Sequence, residues 1–317
     1  MHAGKPVLVA EVVRSGMVES RHHGTVVGLA SDGSPAFQGG RVGAPLYPRS
    51  SNKPAQAAAM VRLGLPLEGE LLALAAASHS GEDIHQDGVR RILAQARLDT
   101  SALRNTPGWP IDSNVMVEHV RAGHAPSSLA ADCSGKHAAM LLTCVVNGWS
   151  TDGYLHPEHQ LQRSIHDTVA ELAGEPVAHT GVDGCGAPLF ALTPGGLARM
   201  FRSLATAPAG SAERTVVEAI QRHPEYTSGT ARDEAELING VPGLFCKGGA
   251  DAVMAAALDD GRAVALKIDD GGARARTVVL VAALQKLGVD APVLDKLATE
   301  PVLGGGVPVG EVRAVLP

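Results

Sequence analysis

Aromatic side chains make up only 3% of this 317-residue chain, so it offers no series of stacking platforms for single-stranded nucleic acid. A basic excess is missing too. The 27 Lys and Arg stand against 33 Asp and Glu, and a formal net charge of -6 is the wrong sign for a polyanionic partner. No apolar stretch approaches the ~20 residues of a membrane span. The short apolar run near the N-terminus is interrupted by Glu11 and Arg14 and has no small-residue cleavage site after it, so no secretory leader is predicted. The expected compartment is therefore the cytoplasm. The chain has four cysteines and no Cys-x-x-Cys pair, so Cys133, Cys144, Cys185 and Cys246 are expected as thiols, metal ligands or buried fillers and not as disulfides.

What is abundant is small. Hydrophobic residues make up 45% of the chain, charged residues 19%, and there are 37 glycines, a composition that buries a sizeable core and connects it through tight turns. The first forty residues alternate as a hairpin would, in 7–13 and 18–30, with turn signals at Ser15-Gly16 and Asp32-Gly33. From Ser50 to Asn239 the apolar spacing is mainly helical, over 51–63, 68–77, 83–96, 113–122, 135–147, 157–173, 194–205 and 212–222. Strand patterns return at 244–246, 252–258 and 263–268, and a helix is predicted near 273–287. The class expected is α+β: one antiparallel sheet built from both ends of the chain, with a central helical lobe against it. This predicts a single two-lobed domain over residues 1–317, strand-rich at 1–49 and 243–290 and helical at 50–242. A crevice between the lobes is the natural place for a small-molecule site.

Four polar clusters fall at the interruptions. Ser50-Ser51-Asn52-Lys53 puts a serine and a lysine one helical turn apart, which lets an amine act as base for its own hydroxyl nucleophile without a histidine. The same Ser-x-x-Lys pattern serves penicillin-binding proteins and β-lactamases. Ala77-Ser78-His79-Ser80-Gly81-Glu82 ends an apolar helix. Taken alone, it reads more simply as a helix stop followed by the N-cap of the next helix. Phe245-Cys246-Lys247-Gly248-Gly249-Ala250 places a lysine and two glycines at a strand, either a simple turn or a point where backbone closely approaches a ligand. The fourth cluster is split between Asp132-Cys133-Ser134-Gly135-Lys136-His137 and Asp183-Gly184-Cys185-Gly186-Ala187-Pro188. Two thiolates, a third ligand from Lys136 or His137 and a water would suit zinc, while buried structural cysteines are the plainer reading. Cys144 lies too far along the same helix to share a ligand and is expected in the core.

Together these segments resemble the rhizobial-type L-asparaginases, a group with a serine β-lactamase-like fold. The matching residues are Arg49-Ser50-Ser51-Asn52-Lys53-Pro54-Ala55-Gln56, Ala77 to Glu82, Asp132 to Met140, Asp183 to Pro188 and Lys247 to Ala250, in the family's order along nearly the whole chain. The resemblance implies two Ser-Lys dyads meeting in one pocket, Ser50 with Lys53 and Ser78 with Lys247, with Ser50 as nucleophile. It also implies zinc held by Cys133, Lys136 and Cys185, with Asp183 close to metal or substrate, and a homodimer. The chain departs from the family in a shorter segment between Lys53 and Ser78 and in Asp233-Glu234 after Arg232.

The chemistry implied is hydrolysis of the side-chain amide of L-asparagine through an acyl-enzyme. By charge alone, Arg49 and a lysine, Lys136 among them, are candidates for the substrate α-carboxylate. Asp183 and Glu82 are candidates for its α-ammonium, and His79 and Ser80 stand beside them as further contacts. The competing readings are a glutaminase, a penicillin-recognising hydrolase, and a binding protein that retains an amino-acid pocket.

Overall fold

The computed structural model describes residues 4–316. The chain opens with strands β1 (Val7–Arg14), β2 (Met17–Leu29) and β3 (Pro35–Gly39). A 3-10 turn at Arg49–Asn52 then leads into helices α1 (Lys53–Arg62), α2 (Gly69–Ala75), α3 (Asp83–Gln95), α4 (Ser113–Arg121), α5 (Ser134–Val146) and α6 (Gln160–Ala173). A small hairpin, β4 (His179–Val182) and β5 (Pro188–Ala191), precedes α7 (Pro194–Ala205), α8 (Ala212–Arg222), α9 (Pro224–Thr227) and α10 (Asp233–Gly240). The chain returns to the sheet as β6 (Leu244–Gly249), β7 (Val253–Leu258) and β8 (Ala263–Ile268). It ends with α11 (Arg276–Lys286), α12 (Pro292–Leu297), β9 (Thr299–Gly304) and β10 (Val307–Ala314).

The expected α+β class is what the chain adopts. Its main sheet is antiparallel, ordered β6-β7-β8-β2-β1-β10-β9, with β3 also on β2. Strand β2 is long enough to serve three neighbours: its first half pairs with β1, and from Gly24 onward it pairs with β8 on one side while β3 replaces β1 on the other. Every residue of β7 is buried, because α7 and α11 both pack on it. Such a strand needs apolar residues at successive positions, not alternation, and Val253-Met254-Ala255-Ala256-Ala257-Leu258 supplies them.

Two features depart from the sequence reading. The strand-rich C-terminal part does not end at 290: β9 and β10 form a hairpin whose second strand pairs with β1 and extends the sheet. The segment expected to be helical contains the β4–β5 hairpin, joined by the loop that carries Asp183 and Cys185. Both hairpins are short or largely exposed, so neither shows the buried periodicity that marks a strand in a sequence.

Candidate active site and metal centre

Ser50 sits in the 3-10 turn and Lys53 is the first residue of α1, where Pro54 follows at a position that needs no N–H partner. Residue Arg49, before the serine, has φ 52, a left-handed conformation costing a non-glycine residue about 1 kcal/mol. Asp251 and Ala252 share that conformation at φ 55 and 54, and Asp251 pairs with the Arg49 guanidinium. Strained backbone is thus concentrated on both sides of Ser50. Gly249 explains the close approach of β6 to this turn: a Cβ there would lie 2.6 Å from the Pro48 carbonyl oxygen and 3.2 Å from Ser50 N.

Ser50 and Ser78 line one cavity of about 330 Å³, together with Asp132, Arg232, Glu234, Gly248, Asp251 and Arg276 among others. The two serines therefore share one cavity. Their lysines are partnered differently from the expectation. Lys53 Nζ donates to the Ala77 carbonyl at 2.6 Å and to Ser78 Oγ at 3.0 Å, with Asp132 Oδ2 at 3.6 Å. Lys247 Nζ donates to Glu234 Oε2 at 3.3 Å and to the Gly248 carbonyl at 3.0 Å, and Ser50 Oγ makes no hydrogen bond among the described residues. The cause is local: the chain leaves α2 beside the start of α1, and the Ala77 carbonyl just past that helix accepts from the Lys53 amine.

Lys247 and Glu234 are almost fully buried. Burial, the largest effect, pushes the Lys247 ammonium below its ordinary range; the Glu234 carboxylate opposes this and the Lys53 charge reinforces it. The Asp132 carboxyl is pushed up by burial, yet the charge of Lys53 and then of His79 holds it below the ordinary carboxylate range.

The other residues singled out from the sequence are placed as follows. Arg49 is committed to Asp183, at 2.8 Å, and to Asp251. His79 is buried, its Nε2 on Ser134 Oγ at 2.9 Å and its ring stacked on His85, and burial drives its pKa well below the ordinary value. Ser80 donates to Glu82, which also accepts from the N–H of Thr230 at 3.0 Å and its hydroxyl at 2.9 Å. None of these four lines the cavity that holds the two serines. Arg232, Glu234, Arg276, Asp132 and Asp251 do. Asp132 opens one of the matched motifs and Glu234 belongs to the departure that follows Arg232, while Arg276 and Asp251 carry no signal in the sequence.

A second cluster lies behind the turn. The thiol sulfurs of Cys133 and Cys185 and a ring nitrogen of His137 lie within 4.8 Å of one another, and all three residues are buried. Lys136 Nζ is 3.2 Å from Cys185 Sγ. His137 Nδ1 is satisfied by the Tyr154 hydroxyl at 2.8 Å, while its Nε2 is buried with no partner. The Cys133 thiol beside it, then the Lys136 ammonium, lower the Cys185 thiol well below its ordinary range, and burial of the imidazole pushes His137 down to about 4. Two sulfurs, an orphaned imidazole nitrogen and an amine form a donor set that fits a tetrahedral zinc ion. Asp183 links the cluster to the cavity: its Oδ1 accepts from Arg49 and its Oδ2 lies 4.0 Å from Cys185 Sγ. Cys144, by contrast, is a core residue, its thiol pushed up to about 11 by burial.

The L-asparaginase II family matches residues 10–314. The chain belongs to that family. No curated protein matches it. Similar solved structures include a protein named Mglu in its native form, at 15% identity and TM-score 0.43 over 83% of this chain, which spans 63% of the length of Mglu. A Bacillus glutaminase in 4.3 M NaCl matches at 12% identity and TM-score 0.36, over 84% of this chain and 91% of that one. EstCE1, a hydrolase with promiscuous acyltransferase activity, matches at 13% identity and TM-score 0.40, over 88% and 92%. Among the described residues no helix is long and apolar enough to cross a membrane.

Proposed function

We propose that the protein hydrolyses the side-chain amide of L-asparagine to L-aspartate and ammonia through an acyl-enzyme on Ser50. The observation that carries this reading is the shared cavity: two serines face it, and a buried lysine amine is hydrogen-bonded to one of them and three residues along the chain from the other. Ser50 is the better nucleophile because its hydroxyl breaks no internal bond before attacking. In its neutral form Lys53 keeps two N–H groups for the Ala77 carbonyl and Asp132, and its lone pair takes a hydroxyl proton. That proton then leaves with ammonia. Backbone N–H groups of the cavity wall hold the oxyanion, and Ser78 holds the Lys53 amine in place between the two steps.

Zinc fits this reading as a support for the pocket. Cys133, Cys185, His137 and Lys136 would hold it, and when bound it supplies a fixed positive charge beside Asp183. Asp183 in turn orients Arg49 and so the strained turn that presents Ser50. A serine nucleophile leaves no task for a metal-bound hydroxide. Metal analysis of the purified protein is expected to find zinc, and Cys133→Ser to lose it; a zinc-free protein unaffected by that change would remove the metal from the proposal.

The Lys53–Ser78 bond favours a second reading, in which Ser78 is the nucleophile. The test is ammonia release from asparagine and glutamine by wild type, Ser50→Ala and Ser78→Ala, with mass analysis of the acylated peptide after acid quenching. The proposal expects the acyl group on the peptide holding Ser50 and a loss of about 10⁴-fold or more in kcat for Ser50→Ala. Acylation of Ser78 would exchange the roles, and glutamine preferred to asparagine would change the substrate.

A further inference from the structure

Five charged side chains line the cavity: Asp132, Arg232, Glu234, Asp251 and Arg276. Four are engaged. Asp132 faces Lys53, Glu234 holds Lys247 and the Gly248 N–H, Asp251 pairs with Arg49, and Arg276 donates to Asp233 at 3.1 Å. Arg232 is different. Its guanidinium has no hydrogen bond or ion pair among the described residues, although it is half-buried and carries five donors. Arg276 adds a related feature, since its Nε is buried without a partner.

A guanidinium held unmatched on the wall of a cavity whose acids all have partners is available for an anion that arrives with the substrate, and planar carboxylates suit its fork best. The Arg49 side chain cannot take this part without giving up two carboxylates. We infer that Arg232, with Arg276 beside it, anchors the α-carboxylate of the substrate and so restricts the cavity to amides that carry one. This rests on the asparaginase reading and names the group that selects its substrate class. Asp233 and Glu234 follow directly in the chain and turn their own charges onto Arg276 and Lys247, which leaves Arg232 as the free member of the run.

The test compares asparagine with β-alaninamide, which is asparagine without its α-carboxylate. Wild type is expected to prefer asparagine. Arg232→Gln should lower kcat/KM for asparagine about 10- to 100-fold, mainly through KM, and leave β-alaninamide unchanged; Arg232→Lys should recover part of the loss. Equal effects on both amides, or none on either, would overturn the assignment. Calorimetry of the products separates this inference from the proposed activity. If wild type releases no ammonia but binds aspartate more tightly than β-alanine, and Arg232→Gln abolishes that difference, the anchor stands and the asparaginase reading falls. Aspartate binding that is absent from wild type, or the same in both proteins, removes the anchor whatever the activity.

Discussion

Lys53 and Lys247 are both buried at one cavity, and their surroundings give them opposite tasks. Lys53 faces a hydroxyl, a carbonyl and, farther off, a carboxylate. Lys247 faces a carboxylate at 3.3 Å that is itself buried and held by the Gly248 N–H. An amine opposite a hydroxyl can exchange a proton with it. One opposite a buried carboxylate is held as an ion pair. On the proposed mechanism Lys53 is therefore the acid-base group, and Lys247 a cation paired with Glu234.

The sharpest way to break this comparison is to remove each amine in turn. Lys53→Met is expected to reduce kcat about 10³-fold or more, because Ser50 loses its base; Lys247→Met should cost about 10- to 100-fold, with the loss varying with pH. Steady-state ammonia release across pH distinguishes them. If Lys247→Met were the more damaging, the two tasks would have to be exchanged.

A smaller change sharpens the same contrast. The Glu234 carboxylate is the main effect that raises the Lys247 pKa, against burial and the Lys53 charge, which lower it. With Glu234→Gln the Lys247 amine therefore loses its proton at a lower pH than in wild type. Any limb of the pH-rate profile that follows Lys247 should move toward acid. The sign for stability is the same: a lysine depressed in the folded state binds its proton more weakly than in the unfolded chain, so stability rises with pH between the folded and unfolded values. In Glu234→Gln that rise should begin at lower pH in urea titrations. A profile and a stability curve that both stay in place would show that Glu234 does not set the charge of Lys247.

How far this contrast could be read from the sequence depends on the kind of information. The helices from α1 to α8 and the strands β7 and β8 were legible within a few residues, because their burial follows a period or fills a continuous run. The exposed β9 and β10, joined through glycines, carry no such pattern and were missed. At the site, Ser50 and Ser78 line one cavity, and Lys53 and Lys247 are bonded to residues of its wall. Partner choice was not legible, since a lysine amine reaches several ångströms from its backbone and goes to whichever acceptors tertiary packing leaves open. For Lys53 these belong to the end of α2, and for Lys247 to Glu234 on α10. The helix α10 falls inside the lobe expected to be helical but outside the individual helices read from the sequence, so the residue that distinguishes the two lysines stood in a stretch without an assigned element.

The mildest test reaches Glu234 through the backbone. A Cβ on Gly248 would lie 2.4 Å from Glu234 Oε1 and 2.6 Å from Arg276 Nη1, and both atoms belong to the far ends of side chains that can shift. Gly248→Ala is therefore expected to fold, at a cost of about 1–3 kcal/mol for overpacking, measured by urea denaturation. The displacement cannot be neutral for the ion pair, because Oε1 accepts the Gly248 N–H at 3.0 Å while Oε2 meets Lys247. If Glu234 governs Lys247, Gly248→Ala should move the pH-rate limb in the same direction as Glu234→Gln, by less. A loss of stability with an unmoved limb would mean that the carboxylate can shift and still govern the amine, and the contrast between the two lysines would then rest on charge and not on the close fit at Gly248.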